Sequence, residues 1–505
     1  MKTAYLWLLL ISWLVAGPAS QELKVQRLSE KAVIPKPVRI EDAQGYFRWN
    51  RRTRICHVPK GLTREMLGQL RREWADSLPM RFSSRCRRKN AVNIRLDSSL
   101  KLVRGGYRLH IAPAGIRISA SSPEGIFNAF QTLRQLAVGS RRGANIYFPA
   151  GTVIDSPRFA YRGMMLDVAR HFFTPAEVKR LISYLSLFKI NRLHLHLADD
   201  QGWRIEIPSY PLLTRIGGST EVDGTPGDYY TQADFRDLVH YARLHGMQII
   251  PEIDMPGHIH AALASYGFLN CDGRPKKLYT GTEVGFSTLC LTKDTVYAFV
   301  DRVIGDLARI SPSPYIHIGG DESYATPKDL YPAFIRRVER LIRKHGKRMI
   351  GWEEIARAAR DSTTRIEFWR NPALARQAAA KGLDIIYAYA PYCYLDMKYD
   401  STTTLGLKWA GYIDLQKAYA CRPAQTLGEA ASHLRGIEAP LWTETVRTTA
   451  ELDYMAFPRI TAHAETGWSP PRLKNWPDFQ KRLARLASLL PPGANREAVK
   501  PRPGQ

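Results

Sequence analysis

The chain has 505 residues and carries 73 Lys and Arg against 47 Asp and Glu, a formal net charge of +26. Apolar residues make up 45% of the chain, which excludes a disordered, collagen-like or low-complexity protein. At about 150 residues per domain, the length predicts about three domains, or one large enzyme domain and a smaller one. The basic charge favours nucleic acid, an anionic membrane or an acidic polymer as a partner.

The first twenty residues, MKTAYLWLLLISWLVAGPAS, have the layout of a secretory signal peptide. Lys2 supplies a positive charge, residues 5–16 are largely apolar, and Gly17 and Ala19 suit cleavage after Ala19. We therefore predict a signal peptide at residues 1–19 and an exported protein, periplasmic or extracellular. An uncleaved membrane anchor is the alternative, but the apolar run is shorter than the ~18 residues that span a bilayer, so stable membrane insertion is not expected.

The six cysteines form three locally spaced couples. They are Cys56 with Cys86, Cys271 with Cys290, and Cys393 with Cys421. Six cysteines allow about 15 pairings, so the sequence leaves the connectivity open. The couple at 271 and 290, which would close a short loop, is the one we expect to form a disulfide, and the others can equally be buried thiols. The chain has no Asn-x-Ser/Thr site, which favours a bacterial exported protein over a glycosylated eukaryotic one.

The predicted elements fall into two regions. In residues 22–150, alternating strands pass through Tyr107 and Ile116 and precede a helix at 123–136, a pattern typical of a small α+β domain. From Arg162 onward, short apolar strands alternate with amphipathic helices, as in a parallel sheet with helical crossovers. One of these helices begins with the capping box Thr174-x-x-Glu177.

Eight strands are predicted in the second region, and helices separate them. The predicted ranges are 162–168, 192–198, 247–254, 315–321, 348–353, 364–369, 384–390 and 436–443. This count predicts a (β/α)₈ barrel over residues 155–485, preceded by the small α+β domain. The Pro-rich, charged segment 491–505 is expected to be disordered.

Active sites of such barrels lie at the C-terminal ends of the strands, so the residues that follow each strand are the candidates. These residues are Asp167, Arg170, Asp199, Asp200, Asp254, His258, Asp321, Glu322, Trp352, Trp369, Tyr394, Asp396, Trp442 and Glu444. Aromatic faces beside carboxylates suit a sugar, whose C–H groups pack on indole while its hydroxyls bond to charged acceptors. Each tryptophan alone would be explained by core packing, and the acids by helix capping. Together they favour a carbohydrate site.

The adjacent acids Asp321 and Glu322 in YIHIGGDES are the most informative pair. If the strand continued through Asp321, the two side chains would point to opposite sides. A double-displacement glycosidase needs its carboxyls facing each other across the bond, about 5–5.5 Å apart, which neighbours on one chain do not readily achieve. They can divide the work instead: Glu322 protonates the leaving oxygen, and Asp321 holds a substrate group that is itself the nucleophile. Capping of a following helix is the structural alternative.

Seven ordered motifs between residues 155 and 480 resemble those of the family 20 glycoside hydrolases, the β-N-acetylhexosaminidases. They are RGMMLDVARHF, LHLHLADDQGWRIEI, PEIDMPGH, HIGGDE, GWEE, YLDMKY and APLWTET. The small domain before them also fits that family's architecture. The resemblance implies an exo-acting, retaining enzyme that releases terminal β-linked N-acetylglucosamine or N-acetylgalactosamine by substrate assistance, with no cofactor and no metal.

The resemblance also implies a role for each matched residue. Glu322 would be the acid/base, Asp321 would orient the 2-acetamido group, and Tyr394 would hydrogen-bond the acetamido oxygen. The indoles of Trp352, Trp369 and Trp442 would line its pocket, Arg170 and Glu444 would hold the 3- and 4-hydroxyls, and Asp396 the 6-hydroxyl. Asp199, Asp254 and His258 would tune the proton affinity of Glu322, whose pKa we expect to be raised. Tyr392 also stands near Asp396, so the tyrosine assignment can be displaced by two positions.

Three other readings compete with this one. His194 and His196, with His258 and His260, imitate a barrel metal motif and would suit a metal-dependent amidohydrolase. A carbohydrate-binding relative without chemistry is the second, and a nucleic-acid protein, favoured only by the charge, is the third; no fold or basic-aromatic repeat of that class is present. Oligomeric state, the preferred epimer and the natural glycan stay open. Much of the positive charge lies in the small domain, where it can hold the protein near anionic envelope or acidic glycan surfaces or be merely a solvated face.

Overall fold

The computed structural model describes residues 26–75, 77–85 and 89–500. The predicted signal peptide, Cys86 of the first cysteine couple and residues 501–505 lie outside the described residues. The described chain forms an N-terminal α+β domain followed by a closed barrel, as the sequence predicts.

The N-terminal domain is built on an eight-stranded sheet with the strand order β1-β8-β5-β6-β4-β2-β3, in which β7 pairs with β8. Its strands are β1 (Arg39–Trp49), β2 (Arg54–Cys56), β3 (Phe82–Ser83), β4 (Ala91–Leu96), β5 (Tyr107–Ala112), β6 (Gly115–Ala120), β7 (Arg141–Arg142) and β8 (Asn145–Asp155). In β5 the side chains of Tyr107, Leu109 and Ile111 are buried, whereas Arg108 is exposed. This alternation places one face of the sheet against helices α1 (Leu62–Glu73) and α2 (Pro123–Ala137) and leaves the other to solvent.

Eight parallel strands close the barrel in the order of the chain, with the last strand paired to the first. They are β9 (Tyr161–Asp167), β10 (Arg192–His196), β11 (Gln248–Glu252), β12 (Tyr315–His317), β13 (Arg348–Trp352), β14 (Arg365–Phe368), β15 (Asp384–Tyr387) and β16 (Leu434–Leu441). The predicted (β/α)₈ fold is therefore confirmed. Several strands end earlier than expected, and β12 ends four residues before Asp321.

Helices cover the outside of the barrel and fill its loops. They are α3 (Pro175–Leu187), α4 (Leu212–Arg215), α5 (Gln232–Leu244), α6 (His260–Ser265), α7 (Asp294–Ile310), α8 (Leu330–Lys344), α9 (Pro372–Ala380), α10 (Ala390–Cys393), α11 (Leu415–Tyr419), α12 (Pro423–Leu427), α13 (Thr449–Ala456), α14 (Arg459–Trp468) and α15 (Trp476–Arg485). Helix α3 begins with the predicted box, in which the Glu177 carboxylate accepts a hydrogen bond from the Thr174 amide at 2.8 Å. Local sequence thus sets where this helix starts.

A buried ion pair joins the two domains. The Lys189 ammonium of the barrel lies 2.9 Å from the Asp155 carboxylate of the N-terminal domain, and neither side chain is exposed. Asp155 also accepts hydrogen bonds from Trp468 Nε1 and from the Tyr107 hydroxyl, both at 2.8 Å. Because all these partners are buried, they form a polar anchor between the domains, and separating the domains would expose it.

Two features of the loops and the C-terminal end complete the fold. The expected disulfide joins Cys271 and Cys290, while Cys393 and Cys421 are buried thiols. The expectation of disorder from residue 491 is wrong for 491–500, because Ala494, Asn495 and Val499 are buried against the barrel helices. Among the residues that the structure describes, no helix combines the length and apolar character needed to cross a membrane.

Candidate active site

A cavity of about 660 Å³ opens at the C-terminal ends of the barrel strands. Eleven of the twelve residues to which the family resemblance assigns a role line it: Arg170, Asp199, Asp254, His258, Asp321, Glu322, Trp369, Tyr394, Asp396, Trp442 and Glu444. Trp352 is the exception, since its side chain is only 1% exposed. It packs behind the lining residue Trp442, with the two ring centroids 5.8 Å apart. The strand-end residues therefore meet at one mouth, as their positions in the chain predict.

Two glycines turn the chain sharply between β12 and the adjacent acids. Gly319 and Gly320 have φ angles of 63° and 94°, and Glu322 follows with a φ of 39°. A Cβ on Gly319 would lie 1.9 Å from an oxygen of Asp254, so a larger residue cannot occupy this position without displacing that carboxyl. The strand expected to run through Asp321 is thus replaced by a turn.

This turn brings both acids to the same imidazole. His258 Nε2 lies 3.9 Å from Asp321 Oδ2 and 3.6 Å from Glu322 Oε2. Oδ1 of Asp321 is buried and has no hydrogen-bond partner among the described residues. A free acceptor facing a cavity is the arrangement that a ligand donor would satisfy.

Charged partners hold His258 from the other side. Its Nδ1 lies 3.1 Å from Asp199 Oδ1, and the second oxygen of Asp199 lies 2.9 Å from the Arg170 guanidinium. Arg170 also stacks over Trp442, with its central carbon 4.9 Å from the ring centroid, and its Nε donates to Gln201 at 3.1 Å. Gln201 is a contact that the sequence did not indicate, because nothing at a strand end marks it.

The proton affinities follow from these contacts. Burial opposes protonation of His258, but the charge and hydrogen bond of Asp199 outweigh it and hold the pKa of His258 well above its usual value. Burial alone would raise the pKa of Glu322, yet the hydrogen bond and charge of His258 outweigh it and bring that pKa below its usual value. The expected raised pKa of Glu322 is therefore wrong for the unliganded protein, because the imidazolium beside it stabilises the carboxylate.

Burial has the opposite net result at the two neighbouring aspartates. It is the main cause that raises the pKa of Asp321 to about 6, with His258 opposing it and the Glu322 charge adding to it. Burial, followed by the charge of Asp321, raises the pKa of Asp254 well above its usual value. These shifts favour the carboxylate of Glu322 and the cation of His258, and they make Asp254 and Asp321 harder to ionise than free aspartates.

The opposite wall of the cavity is aromatic. The rings of Trp369 and Tyr394 stack with centroids 6.3 Å apart at an angle of 17°. Trp409, half-exposed at the rim, meets both rings edge-on at 5.9 and 5.6 Å. Sequence reasoning missed Trp409 because it lies in a loop after α10 rather than at a strand end. Tyr394, and not Tyr392, lines the cavity, which favours the tyrosine assignment made from the motif.

Asp396 and Glu444 stand on the remaining side. Burial, followed by the charge of Glu444, raises the pKa of Asp396 well above its usual value, and burial raises the pKa of Glu444. Two carboxyls in such surroundings suit hydroxyl groups of a ligand, which can donate to them or accept from their protonated form.

Histidines and carboxyls also meet in groups that could hold a metal ion. The ligand atoms of Asp254, His258 and Asp321 lie within 4.8 Å of one another, as do those of His194, His317 and Glu367. The histidines of the imitated metal motif, His194 and His196, are fully buried in β10 beneath the cavity, and their ring nitrogens lie 2.5–3.0 Å from carboxylates. Three of these contacts are histidine–carboxylate hydrogen bonds, so the two histidines already have protein partners and their position does not call for the metal ion of an amidohydrolase.

Comparison with known proteins gives consistent matches over both domains. The family model described as glycosyl hydrolase family 20, catalytic domain, matches residues 159–471, and the model of domain 2 of that family matches residues 30–156. A β-N-acetylhexosaminidase of Cellulomonas fimi is 40% identical over 402 residues, which cover 79% of this chain and 81% of that protein. A β-hexosaminidase of Porphyromonas gingivalis is 35% identical over 486 residues, covering 89% of this chain and 62% of that one.

Solved structures agree with these sequence matches. The family 20 β-N-acetylhexosaminidase of Streptomyces coelicolor superposes with a TM-score of 0.87 at 41% identity, covering 95% of this chain and 99% of its own. A mutant Streptomyces plicatus β-hexosaminidase in complex with the product GlcNAc also has a TM-score of 0.87, at 42% identity, covering 94% of this chain and 96% of its own.

Proposed function

Because the chain belongs to glycosyl hydrolase family 20, we propose that it is an exo-acting β-N-acetylhexosaminidase working through the cavity at the strand ends. Its substrates are glycans or chito-oligosaccharides that end in β-linked N-acetylglucosamine or N-acetylgalactosamine. The observation that carries the proposal is the pair Asp321 and Glu322 beside one imidazole, in a cavity that is also lined by aromatic side chains.

The two acids divide the reaction between them. Glu322 protonates the glycosidic oxygen, and the carbonyl oxygen of the substrate's own 2-acetamido group attacks C1 as the leaving alcohol departs. Asp321 accepts a hydrogen bond from the acetamido N–H and stabilises the positive charge of the oxazolinium ion that forms. Water then attacks C1 and displaces the acetamido oxygen, which restores the acetamide; Glu322 takes the proton of the water, and the sugar leaves with its original anomeric configuration. This division suits two acids on one side of the cavity, which could not straddle a sugar ring.

The catalytic proton is shared between His258 and Glu322. In the free enzyme the raised pKa of His258 and the lowered pKa of Glu322 favour the proton on the imidazole, 3.6 Å from the carboxylate. A sugar that fills the cavity removes water from Glu322 and so raises its proton affinity, because burial disfavours the charged form. Glu322 then becomes the acid that the leaving oxygen needs, while Asp199 keeps the imidazole in place.

The remaining residues recognise the terminal sugar. Tyr394 donates to the acetamido oxygen, and Trp369 and Trp442, with Trp352 below them, enclose its methyl group. Charged residues take the hydroxyls: Arg170 and Glu444 hold O3 and O4, and Asp396 holds O6. Either 4-hydroxyl epimer can be served by this set, since guanidinium and carboxyl groups bond to both.

We also propose that the protein is bacterial and exported, after removal of residues 1–19. The Cys271–Cys290 disulfide supports an oxidising compartment. In that setting the basic small domain retains the enzyme near anionic envelope or acidic glycan surfaces. Binding to such a polymer is expected to weaken as salt rises, since the surface charges are screened within about 8–10 Å.

The test is turnover of aryl β-glycosides by point variants. Glu322→Gln is expected to lose about 10²–10⁴-fold on a substrate with a poor leaving group and much less with a dinitrophenyl group, which needs no acid. Tyr394→Phe is expected to lower kcat, whereas the matched control Tyr392→Phe keeps activity. A substrate with a 2-hydroxyl in place of the acetamido group should be almost inert. Equal rates on both substrates would exclude substrate assistance, and sugar binding without turnover would indicate a lectin.

A further inference from the structure

A cluster of histidines and carboxylates fills the barrel interior directly beneath the cavity. We call it the floor cluster, and its members are His194, His196, Glu252, His317, Glu367 and Glu438. These side chains are at most 1% exposed and come from five of the eight strands. Barrel interiors are usually packed with branched apolar residues, and a buried charge costs several kcal/mol unless it is paired. The site therefore rests on an unusually polar layer.

Glu252, at the end of β11, is the centre of the floor cluster. Its Oε2 lies 2.5 Å from His196 Nδ1 and 3.0 Å from His194 Nε2, and its Oε1 lies 2.9 Å from His317 Nδ1. Oε1 also accepts a hydrogen bond of 3.1 Å from Trp352 Nε1. Two donors, His196 Nδ1 on β10 and Trp352 Nε1 on β13, thus bond to this one carboxylate, and two further imidazole nitrogens lie within 3.0 Å of it.

Two of these contacts lead into the active site. The first fixes the indole of Trp352, which packs beneath Trp442 at the base of the aromatic wall. The second runs through His196, whose Nε2 lies 2.7 Å from Asp199 Oδ2. Asp199 in turn holds His258, which faces Glu322. The Glu252 carboxylate therefore contacts both Trp352, beneath the aromatic wall, and His196, which leads through Asp199 and His258 to Glu322.

We propose that Glu252 is a positioning residue that sets the depth of the acetamido pocket through Trp352 and steadies Asp199 through His196. This inference rests on the proposed function, since it assigns the pocket above Trp352 to the N-acyl group. Glu252 does not reach the cavity itself, so its effect is entirely through residues that do.

Replacing Glu252 by Gln isolates this role because the volume is kept and only the charge and one acceptor are lost. The amide oxygen can accept from only one of the two donors, His196 Nδ1 or Trp352 Nε1, and the NH₂ group cannot accept from the other. Trp352 then loses its fixed anchor, and the pocket beneath the acetamido methyl can yield to a larger group. A global loss of packing would instead lower activity on all substrates alike.

The experiment compares N-acetyl and N-propionyl aryl β-glucosaminides. One methylene in a snug apolar pocket is worth about 10–200-fold in kcat/KM, so wild-type enzyme should prefer the N-acetyl substrate by a factor in that range. Glu252→Gln is expected to lower this preference at least about fivefold, chiefly through KM for the larger substrate. The matched control is Glu438→Gln, which changes a floor carboxylate bonded to Tyr161 and His194 and should keep the wild-type preference.

The outcomes separate the inference from the function on which it rests. A wild-type enzyme with no preference between the two substrates would refute the assigned acetamido pocket. A clear wild-type preference that Glu252→Gln leaves unchanged would overturn the positioning role, even if overall activity fell. If Glu252→Gln does not fold, Trp352→Phe removes the same hydrogen bond from the other partner. The inference then requires the preference to fall in that variant, and an unchanged preference overturns it.

Discussion

Removing the charge of His258 should move the acid limb of the pH–rate profile upward. Asp321 must be ionised to stabilise the oxazolinium ion, so kcat/KM is expected to fall as the pH drops through the pKa of Asp321, which is about 6 in the free protein. The His258 cation favours the Asp321 carboxylate and therefore lowers that pKa. In His258→Gln this help is lost, the pKa of Asp321 rises, and activity fades at a higher pH than in wild type.

The size of the shift follows from one distance. His258 Nε2 and Asp321 Oδ2 are 3.9 Å apart. Opposite unit charges at about 4 Å attract by about 4 kcal/mol at an effective dielectric constant of about 20, which corresponds to about 3 pH units. Opposite charges at such distances commonly shift a carboxyl pKa by about 1–3 units. The acid limb should therefore rise by about 1–3 units from its wild-type position.

The assay measures kcat/KM from pH 4 to 9 on a dinitrophenyl β-N-acetylglucosaminide. The activated leaving group makes protonation by Glu322 dispensable, so the profile reports Asp321. His260→Gln is the control, because His260 faces the Lys277 carbonyl and not the two acids. An acid limb that stays in place in His258→Gln, or moves to lower pH, would refute the assignment of that limb to Asp321.

Three predictions concern stability, each read from the urea midpoint of unfolding. Lys189→Met leaves the Asp155 carboxylate buried without its cation and should cost about 3–5 kcal/mol; an unchanged midpoint would show that the domains do not depend on this pair. Thr174→Ala removes a helix cap and should cost about 1 kcal/mol, while Thr174→Ser should restore it. The double change Cys271→Ser, Cys290→Ser removes a cross-link between residues 19 apart and should lower the free energy of unfolding by about 3 kcal/mol. A double variant as stable as the oxidised wild-type protein would contradict this.

What the sequence predicts well is local. The capping box at Thr174 and Glu177 involves residues three apart, and the barrel follows from the alternation of apolar strands with helices. The convergence of the site residues was also predictable, because parallel strands in a barrel end at one mouth. These inferences need only the positions of residues within or just after an element.

What escaped prediction depends on contacts between distant parts of the chain. Glu252 and Trp352 are 100 residues apart, and His194 and Glu438 are 244 apart, so no pattern along the strands marks the floor cluster. The direction of the Glu322 pKa was wrong for the same reason, since it depends on how closely His258 approaches. The turn at Gly319 and Gly320 was misjudged because the apolar run before it reads as a longer strand.

The turn at Gly319 requires a residue without a side chain. The Asp254 carboxyl occupies the space where a side chain at 319 would begin, at 1.9 Å from the nearest oxygen. A single nucleotide change can convert glycine to alanine, and here it would dislodge Asp254, and with it the neighbour of Asp321, without removing any acid, base or sugar-binding group. A gene can therefore retain every reactive side chain of this enzyme and still encode an inactive one, so activity in related genomes should be inferred from Gly319 as well as from the acids.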